Sequence, residues 1–412
     1  MKEKIMKLLI KFILLTSLYN AALGVWGGTI YLFMKHIHYT YADINIFLAI
    51  FGVVTFFAEL PSGILADKFG RINVFISSCV TRSIGLFFLF FDTGNGWFLC
   101  ISGILTALGD SLYSGTLDSW FVDKAKVINP NYQIDHVFSL TTSLSTAVSL
   151  LTGFVGAQFL ANINLGYPIL AGAILLLCPI PFAWGERKFE HPAQLKSQNF
   201  RHAFKAKLPN LKSIKDIVRN NKTFFCYSLA FLPITLISTG PYNQWQLFFQ
   251  QGLKTVQTGW ILVGVNLLGI FGAYIAGYLL KIKRQIVLLT WLTIVNAGTI
   301  IFAATVGLKI LAIMLFLIHV LFTSSDEVVR YTILHQQISG SKRTTLISLN
   351  NTLNAAATLL VLGINGWLSD VYSIGVAWTI TAILGLLLTT MGYLIISRIF
   401  KQKMAATAAD DG

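Results

Sequence analysis

Apolar residues in this chain arrive in long unbroken runs rather than in the alternating pattern of half-buried strands. Spans of about twenty apolar residues, the length that crosses a bilayer as a helix, fall near 8–33, 43–66, 72–91, 97–121, 134–160 and 165–184. A polar segment follows, and six more spans fall near 223–249, 256–280, 285–306, 309–333, 344–368 and 373–397. In hydrocarbon a backbone must satisfy its own polar groups, which leaves helices and closed barrels. Barrel strands alternate over about ten residues, and these runs do not. The pattern therefore predicts an all-α membrane protein of twelve transmembrane helices.

Composition agrees. Of 412 residues, 55% are hydrophobic and 12% are charged, about half the charged share of a soluble protein. That leaves too little polar surface to cover a water-soluble body. A formal charge of +14 would point to nucleic acid in a soluble chain. Here the basic residues gather in alternate loops, as the positive-inside rule requires, so no nucleic-acid partner is expected. With both termini cytoplasmic, the opposite side receives only Lys35, Lys254 and Lys309. The first run follows Lys2, Lys4 and Lys7 and exceeds a signal-peptide core in length, so it reads as a retained helix. Cys79, Cys100, Cys178 and Cys226 fall inside apolar runs and read as small buried hydrophobes. Metal ligation is not expected.

The polar segment divides the chain into residues 1–185 and 223–403, with a connector at 186–222 and a tail at 404–412 that composition marks as disordered. In the connector, Leu211, Ile214, Ile217 and Val218 share one helical face while Lys212, Lys215 and Arg219 point elsewhere. This fits either an amphipathic helix on the inner leaflet or a solvated link.

Between the second and third spans the chain reads Gly63-Ile64-Leu65-Ala66-Asp67-Lys68-Phe69-Gly70-Arg71. Glycines here permit close helix approach and positive φ, and an acid sits four residues from an arginine. The stretch resembles the G-x-L-A-D-x-x-G-R motif of the major facilitator superfamily. The resemblance implies two pseudo-symmetric six-helix bundles and a cytoplasmic gate formed by Gly63, Asp67, Gly70 and Arg71. It adds Asp123 at the inner end of span 4 and the start of span 11 after residue 343. The other reading of Lys68 and Arg71 is purely topogenic. Glu59-Leu60-Pro61-Ser62-Gly63 and Ser114-Gly115-Thr116-Leu117-Asp118 resemble a drug-exporter-like branch. Gly153-Phe154-Val155-Gly156-Ala157 keeps only part of that branch's antiporter motif and lacks its proline.

Ionisable groups within hydrocarbon are costly and mark function by default. Arg82 lies roughly 15 Å above the inner end of span 3 and Asp110 roughly 16 Å above that of span 4, at 1.5 Å per residue. Sharing a level on neighbouring helices, they are expected to pair. Glu59, roughly 12 Å deep and without a basic partner in its helix, reads as a buried proton carrier. Asp118 continues a polar stripe with Asp110 and Ser114, and Asp110, Asp118 and Glu327 join Glu59 as proton-coupling candidates. Asp326 and Arg330 are spaced to neutralise each other, leaving Glu327 spare. For each, the alternative is a structural charge that fixes register. Tyr242, Asn243, Gln244, Trp245 and Gln246 in span 7 read either as an interfacial belt or as a substrate-cavity lining. Asn20, Asn266, Asn351 and Asn354 join the cavity candidates through the family resemblance.

No H-E-x-x-H, Walker A or G-x-S-x-G sequence is present, so no enzyme and no direct ATP drive are expected. The reading is a monomeric plasma-membrane antiporter without a cofactor, exporting small amphipathic compounds against protons by alternating access. Membrane lipids are its surroundings. The alternatives are a nutrient-importing symporter for a sugar or organic ion, and a lipid or lipopeptide flippase.

Overall fold

The computed structural model describes residues 2–130, 132, 135–187, 219, 221–253, 255–338 and 343–410, with side chains at most of these. Twelve helices among them are long and apolar enough to cross a membrane: Glu3–Gly27, Tyr41–Glu59, Arg71–Phe90, Gly96–Ile128, His136–Ile163 and Tyr167–Trp184, then Lys222–Gln250, Thr258–Leu279, Gln285–Thr305, Lys309–Gln336, Leu346–Val371 and Ile374–Arg398. They are called spans 1 to 12 below.

The chain forms two compact units, Met1–Leu208 with Gly252–Val263, and Pro209–Gln251 with Gly264–Gly412. The first division falls inside the connector that the sequence sets apart. The grouping of Gly252–Val263 with the first unit departs from two equal halves. The proposed amphipathic face at 211–218 lies outside the described residues.

In the first unit span 1 packs on span 5 and span 6, while span 3 packs on span 4 and span 2 on span 4. Its core holds Phe12, Phe121 and Phe138, with the first two stacked at 4.7 Å between ring centroids. Span 5 approaches span 1 closely: a Cβ added at Gly156 would sit 1.7 Å from the Val25 carbonyl oxygen. Only glycine fits there, which explains the surviving glycines of the degraded span 5 motif by packing alone. Beyond Val155 that span continues as a π segment, Gly156–Leu160. Span 4 is broken at Ser114–Gly115 into Gly96–Tyr113 and Thr116–Ile128. Asp110 and Asp118 therefore stand on different helices, and the single polar stripe expected of span 4 is not formed.

In the second unit span 9 packs on spans 10 and 12, and span 12 also on spans 7 and 11. Phe231 and Tyr393 meet Val329, Leu289 and Leu346 in its core. A second aromatic group joins Trp245, Phe249, Phe316 and Trp378. Span 7 includes a 3-10 turn at Leu232–Ile234, where Pro233 cannot donate to the ladder. The last helix runs Ile374–Asp410, so residues 404–410 are helical where a disordered tail is expected. Their alanines are the strongest helix formers. Among the described cysteines Cys79 is buried, whereas Cys226 is exposed, against expectation.

Candidate functional site

Two polar groups stand out in the first unit. One is the turn between spans 2 and 3. The span 2 helix extends to Phe69, and Gly70 adopts φ 90°, a conformation costly for residues with a Cβ. Arg71, the first residue of span 3, then turns toward span 4, where its Nη2 lies 3.0 Å from Asp123 Oδ2 and 4.0 Å from Asp67 Oδ1. The sharp turn thus brings Asp67, Gly70, Arg71 and Asp123 together. Gly63 has neither expected role. It is helical, and a Cβ there would meet nothing within 4 Å. The side chains at the start of span 11, which the resemblance adds to this gate, lie outside the described ones.

Glu186 and Arg187 extend this cluster, although the sequence assigns them to the connector. Glu186, 9% exposed, accepts from Lys11 and, at 2.6 Å, from Lys124. Burial alone would raise its pKa, but the two ammonium groups hold its carboxyl below the ordinary glutamate range. The only sequence signal is an acid two residues beyond span 6 at the start of a net-basic stretch.

The second group is intramembrane. Arg82 on span 3 donates through Nη1 to Asp110 Oδ1 on span 4 and, at 3.1 Å, to the Tyr19 hydroxyl on span 1. Ser78 Oγ donates to the Gly109 carbonyl at 2.7 Å. It therefore accepts from the Tyr19 hydroxyl, 3.3 Å away. The chain of donors runs from Arg82 through Tyr19 and Ser78 back to the residue preceding Asp110. Tyr113 stacks on Tyr19 at 3.8 Å, and Phe51 lies 6.0 Å from the guanidinium. Arg82 is 6% exposed and Asp110 35%. The pair is thus asymmetric, with a sealed cation and an accessible acid. Tyr19, Ser78 and Tyr113 escaped the sequence reading, because a tyrosine or serine in an apolar run carries no signal of its own.

Other candidates stand differently. Glu59 is exposed, so protein packing does not bury it as the proton-carrier reading expects. Asp118 and Glu327 are exposed as well. In the second unit Asp326 and Arg330 form an ion pair, both buried, with Arg330 Nη1 also 3.4 Å from the Phe231 carbonyl. Gln244 is buried, donating to Ser369 Oγ and accepting from Trp378 Nε1, each at 3.0 Å. Its amide is spent on spans 11 and 12, which corrects its assignment to a cavity lining. Trp245 and Gln246 are likewise buried in this unit, because the face of span 7 that holds them packs inward. Tyr242 is 77% exposed. Asn243 donates to the Thr239 carbonyl, Asn20 to Thr16 and Asn354 to Asn350, each a local helix bond. Asn266 is partly buried and Asn351 exposed. A further cluster the sequence reading missed joins buried His319 to the Asn296 carbonyl at 3.3 Å and to Thr323 at 3.4 Å.

Comparison with known proteins agrees with this architecture. The Major Facilitator Superfamily matches residues 12–325. An uncharacterized MFS-type transporter of Bacillus subtilis (strain 168), YxaM, is 24% identical over 397 residues, covering 93% of this chain and 94% of that protein. Among solved structures the nucleoside transporter NupG superposes with a TM-score of 0.73 at 15% identity, covering 96% of this chain and 99% of NupG. A bacterial homologue of the iron transporter ferroportin, in an inward-facing state, gives 0.72 at 14% identity over 95% of this chain and 98% of its own. An auto-inhibited POT family peptide transporter gives 0.70 at 12% over 95% and 97%. These likenesses establish the fold. With the match over most of its length, the chain is an integral multi-pass membrane transporter, not an enzyme, and belongs to the Major Facilitator Superfamily.

Proposed function

We propose that this transporter exports small amphipathic compounds in exchange for protons, with Asp110 as the coupling acid. The observation that carries the reading is the asymmetry of the Arg82–Asp110 pair, 6% against 35% exposed. Asp110 is the partner that protein leaves open, and the reading takes that open side as the proton's route, whereas Arg82 keeps its charge at any working pH. Protonation of Asp110 removes the counter-charge, and Arg82 then leans on Tyr19. An aqueous proton is thereby converted into a rearrangement inside the first unit. Tyr113 and Phe51, both only partly buried beside the pair, suit an apolar substrate with a cationic or polar head.

Alternating access by two six-helix bundles in the plasma membrane, both termini cytoplasmic, completes the reading. The protein works as a monomer among membrane lipids and uses no cofactor. Import by symport is the second reading. The same acid serves either direction.

The sign of the pH dependence separates them. In an antiporter proton and substrate compete, so the affinity for a lipophilic cation such as ethidium rises with pH as Asp110 deprotonates. In a symporter affinity falls over the same range. Binding titrations of purified protein against pH, for wild type and Asp110→Asn, distinguish the two. A flat wild-type profile removes Asp110 from the mechanism.

A further inference from the structure

The root of the connector touches both arms of the gate turn. Glu186 reaches Lys124 at 2.6 Å, the residue next to Asp123, and also Lys11 on span 1. Arg187 donates through Nε to Asn73 Oδ1. The Asn73 amide in turn donates at 2.6 Å to the Phe69 carbonyl, the last of the span 2 helix. Residues 186 and 187 therefore hold, respectively, the helix that carries Asp123 and the turn that carries Asp67 and Arg71. The Arg187 guanidinium also lies 4.1 Å from the Trp184 ring, which seats it at the end of span 6.

From this geometry we infer that Glu186 and Arg187 are positioning residues for the cytoplasmic gate, setting the Arg71–Asp123 contact from the end of span 6. The inference rests on the reading of Asp67, Arg71 and Asp123 as a gate. Physically, Arg71 and Asp123 cannot hold their own separation. Asp123 is 61% exposed, and an exposed ion pair contributes little by itself. The Glu186 carboxylate is by contrast 9% exposed and charge-paired on both oxygens. Bonds to charged groups of this kind are roughly twice as strong as neutral ones. The better-anchored contact determines where the weaker one forms.

Hydrogen exchange of the full-length protein in lipid nanodiscs tests this, reading the peptide that covers residues 63–75. The variants are Glu186→Gln, Arg187→Gln and, as a direct lesion of the gate, Asp123→Asn. Glu186→Gln keeps the shape and loses the charge, so it is expected to speed exchange around Gly70 and Arg71 roughly tenfold. Arg187→Gln is expected to speed it by a smaller factor. A peptide within span 12 should not change in any variant, which separates positioning from general destabilisation. If Asp123→Asn loosens the turn but neither substitution at 186 or 187 does, the proposal is overturned and the gate reading stands. If none of the three alters the turn, the gate reading fails and the proposal falls with it. Should Glu186→Gln not fold, Lys124→Gln removes the same contact from its less buried side, the lysine being 21% exposed. It must then speed exchange at 63–75 while Lys7→Gln, another lysine of the cytoplasmic surface, does not. Equal effects from these two lysines also overturn the proposal.

Discussion

At the scale of single residues, what distinguishes this protein is how unequally its intramembrane charges are sealed. Arg82 is almost fully buried, yet Asp110 is open to a third of its surface. Removing Asp110 strands a buried cation, whereas removing Arg82 leaves an acid that protein encloses only in part. Asp110→Leu should therefore destabilise more than Arg82→Met, by up to about 3–5 kcal/mol for the former. The double substitution should recover much of the loss. Thermal unfolding in detergent measures all three, and strictly additive losses would show that the pair is not coupled. Gln244 calls for the opposite expectation, since its amide bridges Ser369 and Trp378 inside the second unit. Gln244→Ala should cost about 1–3 kcal/mol through the stranded partners and leave ethidium affinity unchanged. A large change in affinity with unchanged stability would return Gln244 to a substrate site.

At the scale of elements, hydropathy made the spans legible but not their interruptions. A helix broken at Gly115 and a π segment after Val155 leave a run as apolar as a straight helix would. Depth arithmetic put Arg82 and Asp110 at one level because both count from helix ends on the same side of the membrane, and they touch. The same arithmetic gave Glu59 a depth but not a facing direction, and it proves exposed. The contacts of Glu186 with Lys11 and Lys124 span 175 and 62 positions, beyond any local pattern. Its pKa carries a consequence for stability. A folded-state pKa held below the unfolded value stabilises fully above the unfolded value, about 4.3 for glutamate. That stabilisation is lost as pH falls through the folded value. Wild type should thus lose more stability than Glu186→Gln on acidification below about pH 4.3, as followed by thermal unfolding across pH. Parallel curves would mean that Glu186 is not paired in solution. Packing gives a harder limit on span 5: Gly156→Leu should abolish folded yield, because its side chain would enter the Val25 carbonyl. Gly63→Ala, with open space around it, should be tolerated.

At the scale of the whole molecule, membrane insertion and family are established, while orientation and drive are proposals with separate tests. In a background without the four native cysteines, a cysteine at Gln198 should resist an impermeant thiol reagent added to intact cells. One at Thr255 should react, and the reverse result would invert the topology. The drive is tested most directly in everted membrane vesicles with an acidified interior, following ethidium accumulation. Proton antiport through Asp110 predicts accumulation in wild type that collapses when an ionophore removes the gradient. It predicts none in Asp110→Asn, although that variant still binds the dye. Accumulation that survives either the ionophore or the substitution would contradict the account.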